Sequence, residues 1–275
     1  MRENLEGNSP IPIFMAGLPG KMASLVAEAV AVREEFDLLP VAMTSPRHKL
    51  TWAEINGQRV HLVDYCPNNL SPERVAIDFT TPQSVVLNSI DYTSLRVPFV
   101  MGTSGGNREE MEGLVRQSRT CAVIAANMDP QIIRQQMAID EFAEINPGVF
   151  KDATVGIIES HQKTKKDVSG TAIAFRSQFE SHDARPNGRI VSIRDTKIQE
   201  TLGIPDPDSG HAYHWVMVSN PNAQLIYHFS TAVRGRSSYV EGTLMAAQFL
   251  RRQICLGVQG QVFSMRDVLR GGDNQ

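Results

Sequence analysis

Short apolar runs alternate with longer helical stretches up to Asn127, and this alternation constrains the fold more than any other feature. The first run, Ile11–Ala16, ends at Gly17-Leu18-Pro19-Gly20, and apolar residues at helical spacing follow from Met22. Strands that alternate with helices predict a parallel sheet, and a strand, a glycine turn and a helix in that order are typical of a dinucleotide-binding unit. We therefore predict an α/β fold that begins with a Rossmann-type, doubly wound parallel sheet.

The pattern changes after Asn127. A helical stretch over residues 131–145 precedes a strand over residues 155–159, and residues 190–233 have mostly strand-like alternation. This pattern predicts a second, α+β domain with a mixed or antiparallel sheet. The predicted parts are a dinucleotide-binding domain over residues 1–128, a substrate-binding and oligomerisation domain over residues 129–245, and a C-terminal helix and tail over residues 246–275 that return to the first domain.

Composition excludes several classes of function. The formal net charge of −3 favours neither a nucleic-acid nor a membrane partner. The apolar stretches are far shorter than the roughly 18 residues that a membrane-spanning helix needs. Cys66, Cys121 and Cys255 are scattered without metal-ligand spacing, so we expect reduced thiols, no disulfide and no metal. The polar, acidic first ten residues resemble no targeting signal. We expect a cytoplasmic protein, or one of the plastid stroma if this is a trimmed plant precursor.

The glycine turn is the first candidate binding site. Gly17 and Gly20 would let the backbone approach a pyrophosphate, and the helix that begins near Lys21 and Met22 would supply N–H donors. Ala23 occupies the third small position of the motif and still permits close packing of helix on sheet. The alternative is an ordinary turn between a strand and a helix.

The segment after the second strand bears on cofactor choice. An NAD-selective unit usually has an acidic residue there, whereas this chain has Ser45, Arg47 and Lys49. A hydroxyl and a basic side chain suit a 2′-phosphate, so we expect NADPH, with NADH as the alternative. A solvated basic loop would have the same composition.

Two further motifs fall where predicted strands end, which is where ligands bind in this architecture. Asp78, Phe79 and Thr80 form the first, and Gly102, Thr103 and Ser104 form the second. We expect both to line the cofactor cleft.

Residues 159–172 combine a histidine, several lysines and a Ser-Gly-Thr turn at the start of a helix. Backbone N–H groups and hydroxyls at a helix N-terminus bind carboxylates, and a nearby ammonium adds charge and can donate a proton. A solvated basic loop before an ordinary capped helix is the alternative.

This stretch resembles the signature E-x-H-H-x-x-K-x-D-x-P-S-G-T-A of the dihydrodipicolinate reductases (4-hydroxy-tetrahydrodipicolinate reductases). The resemblance covers nearly the whole chain and is closest to the plant-type branch. It includes the glycine turn, the strand-end motifs, and Ser209-Gly210-His211. The sequence departs from the commoner pattern at Gln162, which replaces the second histidine, at Ala23, and in lacking the proline before Ser169.

The resemblance implies roles for residues of the second half. His161 would be the general acid or its partner, and Lys165 would protonate the imine nitrogen or hold a substrate carboxylate. Gln162 would lie beside the substrate. The resemblance further implies a carboxylate-binding turn at Ser169, Gly170 and Thr171, a substrate-site arginine at Arg236, and cofactor contacts at Ala126 and Asn127.

The function implied is NAD(P)H-dependent reduction of 4-hydroxy-tetrahydrodipicolinate to tetrahydrodipicolinate in lysine biosynthesis by the diaminopimelate route. The substrate would be a small cyclic imine dicarboxylate, and the protein a homo-oligomer, a tetramer or a dimer. Two alternatives stay open: a reductase-like assembly factor without activity, and a reductase of another cyclic imino diacid. The pocket from His161 to Thr171 is expected to face the nicotinamide.

Overall fold

The computed structural model describes residues 9–208, 210–222 and 224–272. It divides into two compact units, of which the first comprises Met1–Pro130 and Tyr239–Gln275 and the second comprises Gln131–Ser238. The domain ranges given above stay a prediction. Within the described ranges, no helix is both long and apolar enough to cross a membrane.

The predicted strands and helices occur in the predicted order, with several short elements between them. The strands are β1 (Ile11–Ala16), β2 (Phe36–Met43), β3 (Trp52–Ile55), β4 (Gln58–Val63), β5 (Val75–Asp78), β6 (Phe99–Met101), β7 (Cys121–Ile124), β8 (Thr154–His161), β9 (Arg185–Pro186), β10 (Val191–Ile193), β11 (His211–Ser219), β12 (Ile226–Arg234) and β13 (Gln261–Phe263). The helices are α1 (Lys21–Ala31), α2 (Val85–Ser94), α3 (Arg108–Arg116), α4 (Pro130–Ile145), α5 (Gly170–Ser181), α6 (Thr196–Thr201), α7 (Ser237–Cys255) and α8 (Met265–Gly272).

The first unit contains a sheet in the order β13-β7-β6-β5-β1-β2-β4-β3. Its strand pairs are parallel, except that β3 pairs antiparallel with β4. The order β4-β2-β1-β5-β6-β7 is that of a doubly wound Rossmann sheet, so the predicted fold class of this half is confirmed. Phe14, Tyr92 and Phe99 lie fully buried in its core. Burial on both faces explains why β1 and β5 are apolar along almost their whole length.

The second unit contains a mixed sheet in the order β10-β8-β11-β12, with β9 also paired to β8. β8 runs antiparallel to β11 and parallel to β10. One face of this sheet packs against α4 and α5 through an apolar cluster that includes Ile139, Phe175 and Phe179. The predicted α+β character of this half is also confirmed.

Some elements differ from their predicted bounds. The helix expected from residue 83 begins at Val85, and the strand expected over residues 155–159 extends to His161. We predicted His161 in a loop after that strand, which was wrong: backbone pairing with Ala212 of β11 makes it the last strand residue. The short elements β3, β9 and α6 were not predicted, because a single turn or a few residues carry too little periodicity.

Candidate functional site

The parallel strands of the first unit end at one edge of the sheet, and the predicted cofactor contacts lie at that edge. Adjacent strands contribute them, because β2, β1, β5, β6 and β7 are neighbours in this order. The residues are Gly17, Gly20, Lys21 and Met22 after β1, Ser45 and Arg47 after β2, Asp78, Phe79 and Thr80 at the end of β5, Gly102, Thr103 and Ser104 after β6, and Ala126 and Asn127 after β7.

The turn after β1 requires glycine for steric reasons. Gly17 has φ +107°, and a Cβ added there would lie 2.5 Å from the carbonyl oxygen of Phe79. A Cβ at Gly20 would lie 2.7 Å from the carbonyl oxygen of Gly17. In this described segment no side chain caps the start of α1, so its first N–H groups can donate to an anion. The turn therefore fits the pyrophosphate of a dinucleotide.

Asp78 organises the turn after β5 from inside the domain. Its carboxylate is fully buried and accepts hydrogen bonds from the Thr80 backbone N (2.9 Å) and Oγ1 (2.6 Å), Asn88 Nδ2 (2.8 Å) and the Tyr92 hydroxyl (3.0 Å). Burial raises the pKa of Asp78 despite these donors. The carboxylate thus faces the interior, and only the backbone of Asp78 remains for a dinucleotide contact. Thr103 Oγ1 donates to the Thr80 carbonyl at 3.3 Å and joins the neighbouring turns.

The basic segment after β2 contains an unusual polar atom. Ser45 and Arg47 are exposed, and the Arg47 backbone N–H donates to Ser45 Oγ at 3.3 Å. The neighbouring Thr44 is buried, and within the described part of the chain its hydroxyl has no hydrogen-bond partner. A buried hydroxyl is costly unless it is hydrogen-bonded, so this segment fits a ligand that supplies the missing partner.

The second unit brings the other predicted residues to one edge of its sheet. His161 ends β8, and β11 begins beside it because the two strands are antiparallel. Arg236 follows β12, and its guanidinium lies against Gly210 just before β11, where an added Cβ would be 3.2 Å from Nη1. The chain from His161 to α5 carries Gln162, Lys165, Ser169, Gly170 and Thr171 at the same edge. Ser209, part of the motif beside His211, lies outside the described residues.

Ser169 has a buried histidine partner that the sequence did not indicate. It precedes the first residue of α5 and makes no side-chain cap, and its Oγ lies 2.8 Å from His214 Nε2. His214 Nδ1 lies 3.1 Å from Thr231 Oγ1. Burial lowers the pKa of His214 to about 4, and positive charge on His161 and Lys165 acts in the same direction. The ring is therefore neutral near pH 7.

His161 has a buried carboxylate beneath it. Its Nδ1 lies 2.6 Å from Glu159 Oε2, and Glu159 is fully buried. Arg194 donates to both carboxylate oxygens, at 2.9 and 2.7 Å, and Ser192 donates to Oε1. Burial alone would raise the pKa of Glu159, but the hydrogen bonds from His161, Arg194 and Ser192 hold it well below its usual range.

The described residues include no group of metal ligands, and two of the three cysteines are buried thiols. No group of three or more His, Cys, Asp or Glu side chains there could hold a metal ion. Burial raises the pKa of the Cys66 and Cys121 thiols to about 12, so neither is a ready thiolate.

Sequence reasoning missed Glu159, Arg194 and His214. Glu159 could have been found, because residues two apart on a strand share a face and it precedes His161 by two. Arg194 follows β10 and His214 lies on β11, so only the pairing of these strands with β8 brings them to His161.

Comparison with known proteins gives a consistent result for both halves of the chain. Sequence models described as "Dihydrodipicolinate reductase, N-terminus" and "Dihydrodipicolinate reductase, C-terminus" match residues 11–128 and 136–269. The chain is 36% identical over 273 residues to "Probable 4-hydroxy-tetrahydrodipicolinate reductase 1, chloroplastic" of Oryza sativa subsp. japonica, with 95% of this chain and 79% of the relative covered.

A second relative and a solved structure agree. The chain is 35% identical over 283 residues to "4-hydroxy-tetrahydrodipicolinate reductase 1, chloroplastic" of Arabidopsis thaliana, with 98% of this chain and 80% of the relative covered. The dipicolinate-bound dihydrodipicolinate reductase of Paenisporosarcina sp. TG-14 has a similar fold, with a TM-score of 0.59 and 18% identity. That alignment covers 93% of this chain and 97% of the other.

Proposed function

The chain belongs to the dihydrodipicolinate reductase family, and on this premise we propose which of its two sheet edges binds the cofactor and which binds the substrate. The protein is an oxidoreductase that reduces 4-hydroxy-tetrahydrodipicolinate to tetrahydrodipicolinate with a nicotinamide dinucleotide, in the diaminopimelate route of lysine biosynthesis. The edge of the first sheet would bind the cofactor, and the edge of the second sheet would bind the substrate.

One observation carries the assignment of the substrate site. A histidine with a buried carboxylate partner, a lysine-bearing loop and an uncapped helix N-terminus meet at the end of β8. A diacid needs cationic and N–H partners for its two carboxylates, and its imine needs a proton donor. Lys165, Arg236 and the turn Ser169–Gly170–Thr171 would bind the carboxylates, with Gln162 beside them.

The reduced nicotinamide supplies the hydride when bound. As negative charge develops on the substrate, His161 or Lys165 delivers a proton to it. Ser169 donates its hydroxyl hydrogen to a substrate carboxylate when His214 donates from Nε2 to Ser169 Oγ. Thr231 then donates to His214 Nδ1, since a neutral imidazole has one donor and one acceptor. The chain Thr231–His214–Ser169 would thereby orient the Ser169 hydroxyl.

The direct test is oxidation of NADPH with the imine substrate generated in situ. Absorbance loss that requires both substrate and protein would support the proposal, and its absence in a folded sample would refute it. A crystal soaked with NADPH and pyridine-2,6-dicarboxylate would locate Arg47, Lys165 and Arg236 relative to the bound molecules.

We propose NADPH over NADH. The segment after β2 offers the buried Thr44 hydroxyl, the Ser45 hydroxyl and the exposed Arg47 guanidinium, and a 2′-phosphate needs such donors. Lys49 is close in sequence and adds positive charge.

Replacing Arg47 with alanine should raise the KM for NADPH about tenfold, the effect of one charge-assisted hydrogen bond, and should leave the KM for NADH within about twofold. Steady-state kinetics with both nucleotides measures this. Arg59→Ala is the matched control. Arg59 is the second residue of β4, away from the strand ends where the cofactor contacts are predicted, and its guanidinium carbon lies 4.7 Å from the centroid of the Trp52 ring. Equal changes for the two nucleotides would exclude a 2′-phosphate contact.

We propose that the protein is a homo-oligomer, a tetramer or a dimer, that associates through the second sheet. The face opposite α4 and α5 carries Trp215 and Met217, which are half-buried, and Val191 and Ile226, which are 53% and 46% exposed. Apolar side chains on an open sheet face favour packing against another sheet.

Trp215→Glu should convert the oligomer to smaller species, because a carboxylate would be buried in the interface at a cost of several kcal/mol. Sedimentation velocity measures the change. Ile145→Glu, at the exposed end of α4, should leave the sedimentation coefficient unaltered. A wild-type protein that sediments as a monomer would contradict the proposal.

We propose a cytoplasmic location, or the plastid stroma if the chain is a trimmed plant precursor. The rice and Arabidopsis relatives are named as chloroplastic. Fractionation of source cells would separate these two locations.

A further inference from the structure

We propose that Glu159 and Arg194 are positioning residues of the reductase. Together they fix the ring of His161 and the loop that carries Lys165 as one unit. This inference rests on the proposed function of the site, and it adds two residues that the sequence pattern did not assign to the reaction.

The position of Glu159 follows from the strand. Glu159 and His161 are two residues apart on β8, so their side chains share one face. The Glu159 side chain is fully buried, and its hydrogen-bond partners among the described residues are His161, Arg194 and Ser192. A buried carboxylate is retained only with such partners, because desolvation of an isolated charge is very costly.

The ionised carboxylate determines which His161 nitrogen faces the substrate. A carboxylate only accepts hydrogen bonds, so the His161 Nδ1 that lies 2.6 Å from it must carry a hydrogen. Nε2 is then the nitrogen that gains and loses the catalytic proton. Glu159 contacts this ring directly, and Arg194 binds the same carboxylate. The His214 ring centroid is 5.5 Å away, and the charge of Lys165 acts on His214.

The backbone of His161 is held as well. Gln199 of α6 is fully buried and donates to the carbonyl oxygen of His161 and to Ser160 Oγ, each at 2.9 Å. Because both the ring and the carbonyl are fixed, His161 has little freedom to turn away from the sheet edge.

Arg194 connects this histidine to the lysine loop. Its guanidinium binds the Glu159 carboxylate and also donates to the carbonyl oxygens of Lys165 (Nε, 2.9 Å) and Asp167 (Nη2, 3.2 Å). Lysine could not replace it, because a single ammonium lacks the planar fork that reaches a carboxylate and two carbonyls together. One side chain therefore fixes the backbone of the Lys165 loop relative to the carboxylate that holds the His161 ring.

Glu159→Gln tests the carboxylate, since glutamine has the same shape without the charge. We expect kcat to fall about tenfold to a hundredfold, by analogy with the loss of the hydrogen-bond partner that orients a metal-bound histidine. The KM for the diacid should change less than about threefold, because Glu159 makes no carboxylate-binding contact. Arg194→Lys should lower kcat and also raise this KM, since it releases the Lys165 loop.

A spectroscopic readout separates positioning from a general loss of structure. In protein with 15N-labelled histidine rings, two-bond 1H–15N correlation spectra identify the protonated nitrogen of His161, assigned by comparison with His161→Asn. In the wild type, Nδ1 should keep its hydrogen at every pH. In Glu159→Gln, the neutral ring should become a mixture of tautomers, while pyridine-2,6-dicarboxylate binding by calorimetry should persist.

The control is Arg185→Gln, which breaks the exposed ion pair with Asp152 in the same unit and should leave kcat within about twofold. Folded Glu159→Gln with normal kcat, or with low kcat and an unchanged tautomer, would overturn the proposal. A wild-type ring without hydrogen on Nδ1 would do the same even if the variant fails to fold. Failure of the reductase assignment itself would appear separately, as wild-type protein that does not turn over the imine.

Discussion

Replacing Lys165 with alanine is expected to lower kcat by at least about a hundredfold, the scale of a lost acid–base group. Lys165 is partly buried, the turn from Gln162 and the Arg194 guanidinium fix its backbone, and its charge influences His214. We therefore propose that its ammonium group delivers a proton or holds a substrate carboxylate. Steady-state NADPH oxidation with the imine as varied substrate measures kcat and KM separately.

The neighbouring lysines provide a matched control. Lys163 and Lys166 belong to the same loop but are exposed, so their alanine variants should stay within about twofold of the wild type. A Lys165→Ala protein that keeps near-normal kcat but shows a large rise in KM would assign Lys165 to substrate binding alone. The proton would then come from His161.

Replacing Gly242 with alanine is expected to cost at least about 3 kcal/mol of folding free energy, the upper range for overpacking a buried site. A Cβ at this position of α7 would lie 1.7 Å from the carbonyl oxygen of Met128 and 2.9 Å from its carbonyl carbon. These are backbone atoms, which cannot move aside as the end of a flexible side chain can. The substitution would therefore push α7 away from residues 128–130. Urea unfolding followed by circular dichroism measures the loss.

Gly113 in α3 is the control for helix propensity. Nothing lies within 4 Å of a Cβ built there, so Gly113→Ala should raise the free energy of unfolding by about 0.5–1 kcal/mol. If both variants changed stability by the same amount, steric contact at Met128 would not explain the requirement for glycine at Gly242.

The Rossmann half could be predicted because its signals are local. The apolar run of β1, the glycine turn and the helical spacing of α1 are adjacent in sequence, and burial on both faces makes such strands easy to identify. The placement of Gly102 and Asn127 at the same edge as Gly17 then follows from the rule that parallel strands end together.

The substrate half was predictable only in part. The turn at Ser169–Gly170–Thr171 and the lysine loop could be identified from sequence, whereas the partners of His161 and Ser169 come from strands far away along the chain. His211 and His214 were expected on one strand with their side chains on opposite faces. This agrees with their contacts, because His214 Nε2 lies beside Ser169 Oγ whereas His211 Nε2 lies 3.1 Å from Ser160 Oγ. Its role as a partner of the Ser-Gly-Thr turn depends on the register of β8 and β11, and local sequence does not determine register.

The pairing of β13 with β7 has a consequence for biosynthesis. The ribosome makes the chain from its N-terminus, so the sheet of the first unit cannot pair its β7 edge until residues 261–263 have been made, and β13 is then the new edge strand. Until then the nascent protein exposes a strand edge that can pair with other chains, a recognised route to aggregation. Translation thus adds β13 after all the other strands of this sheet and before α8, and only then does a short edge strand of three residues cover β7.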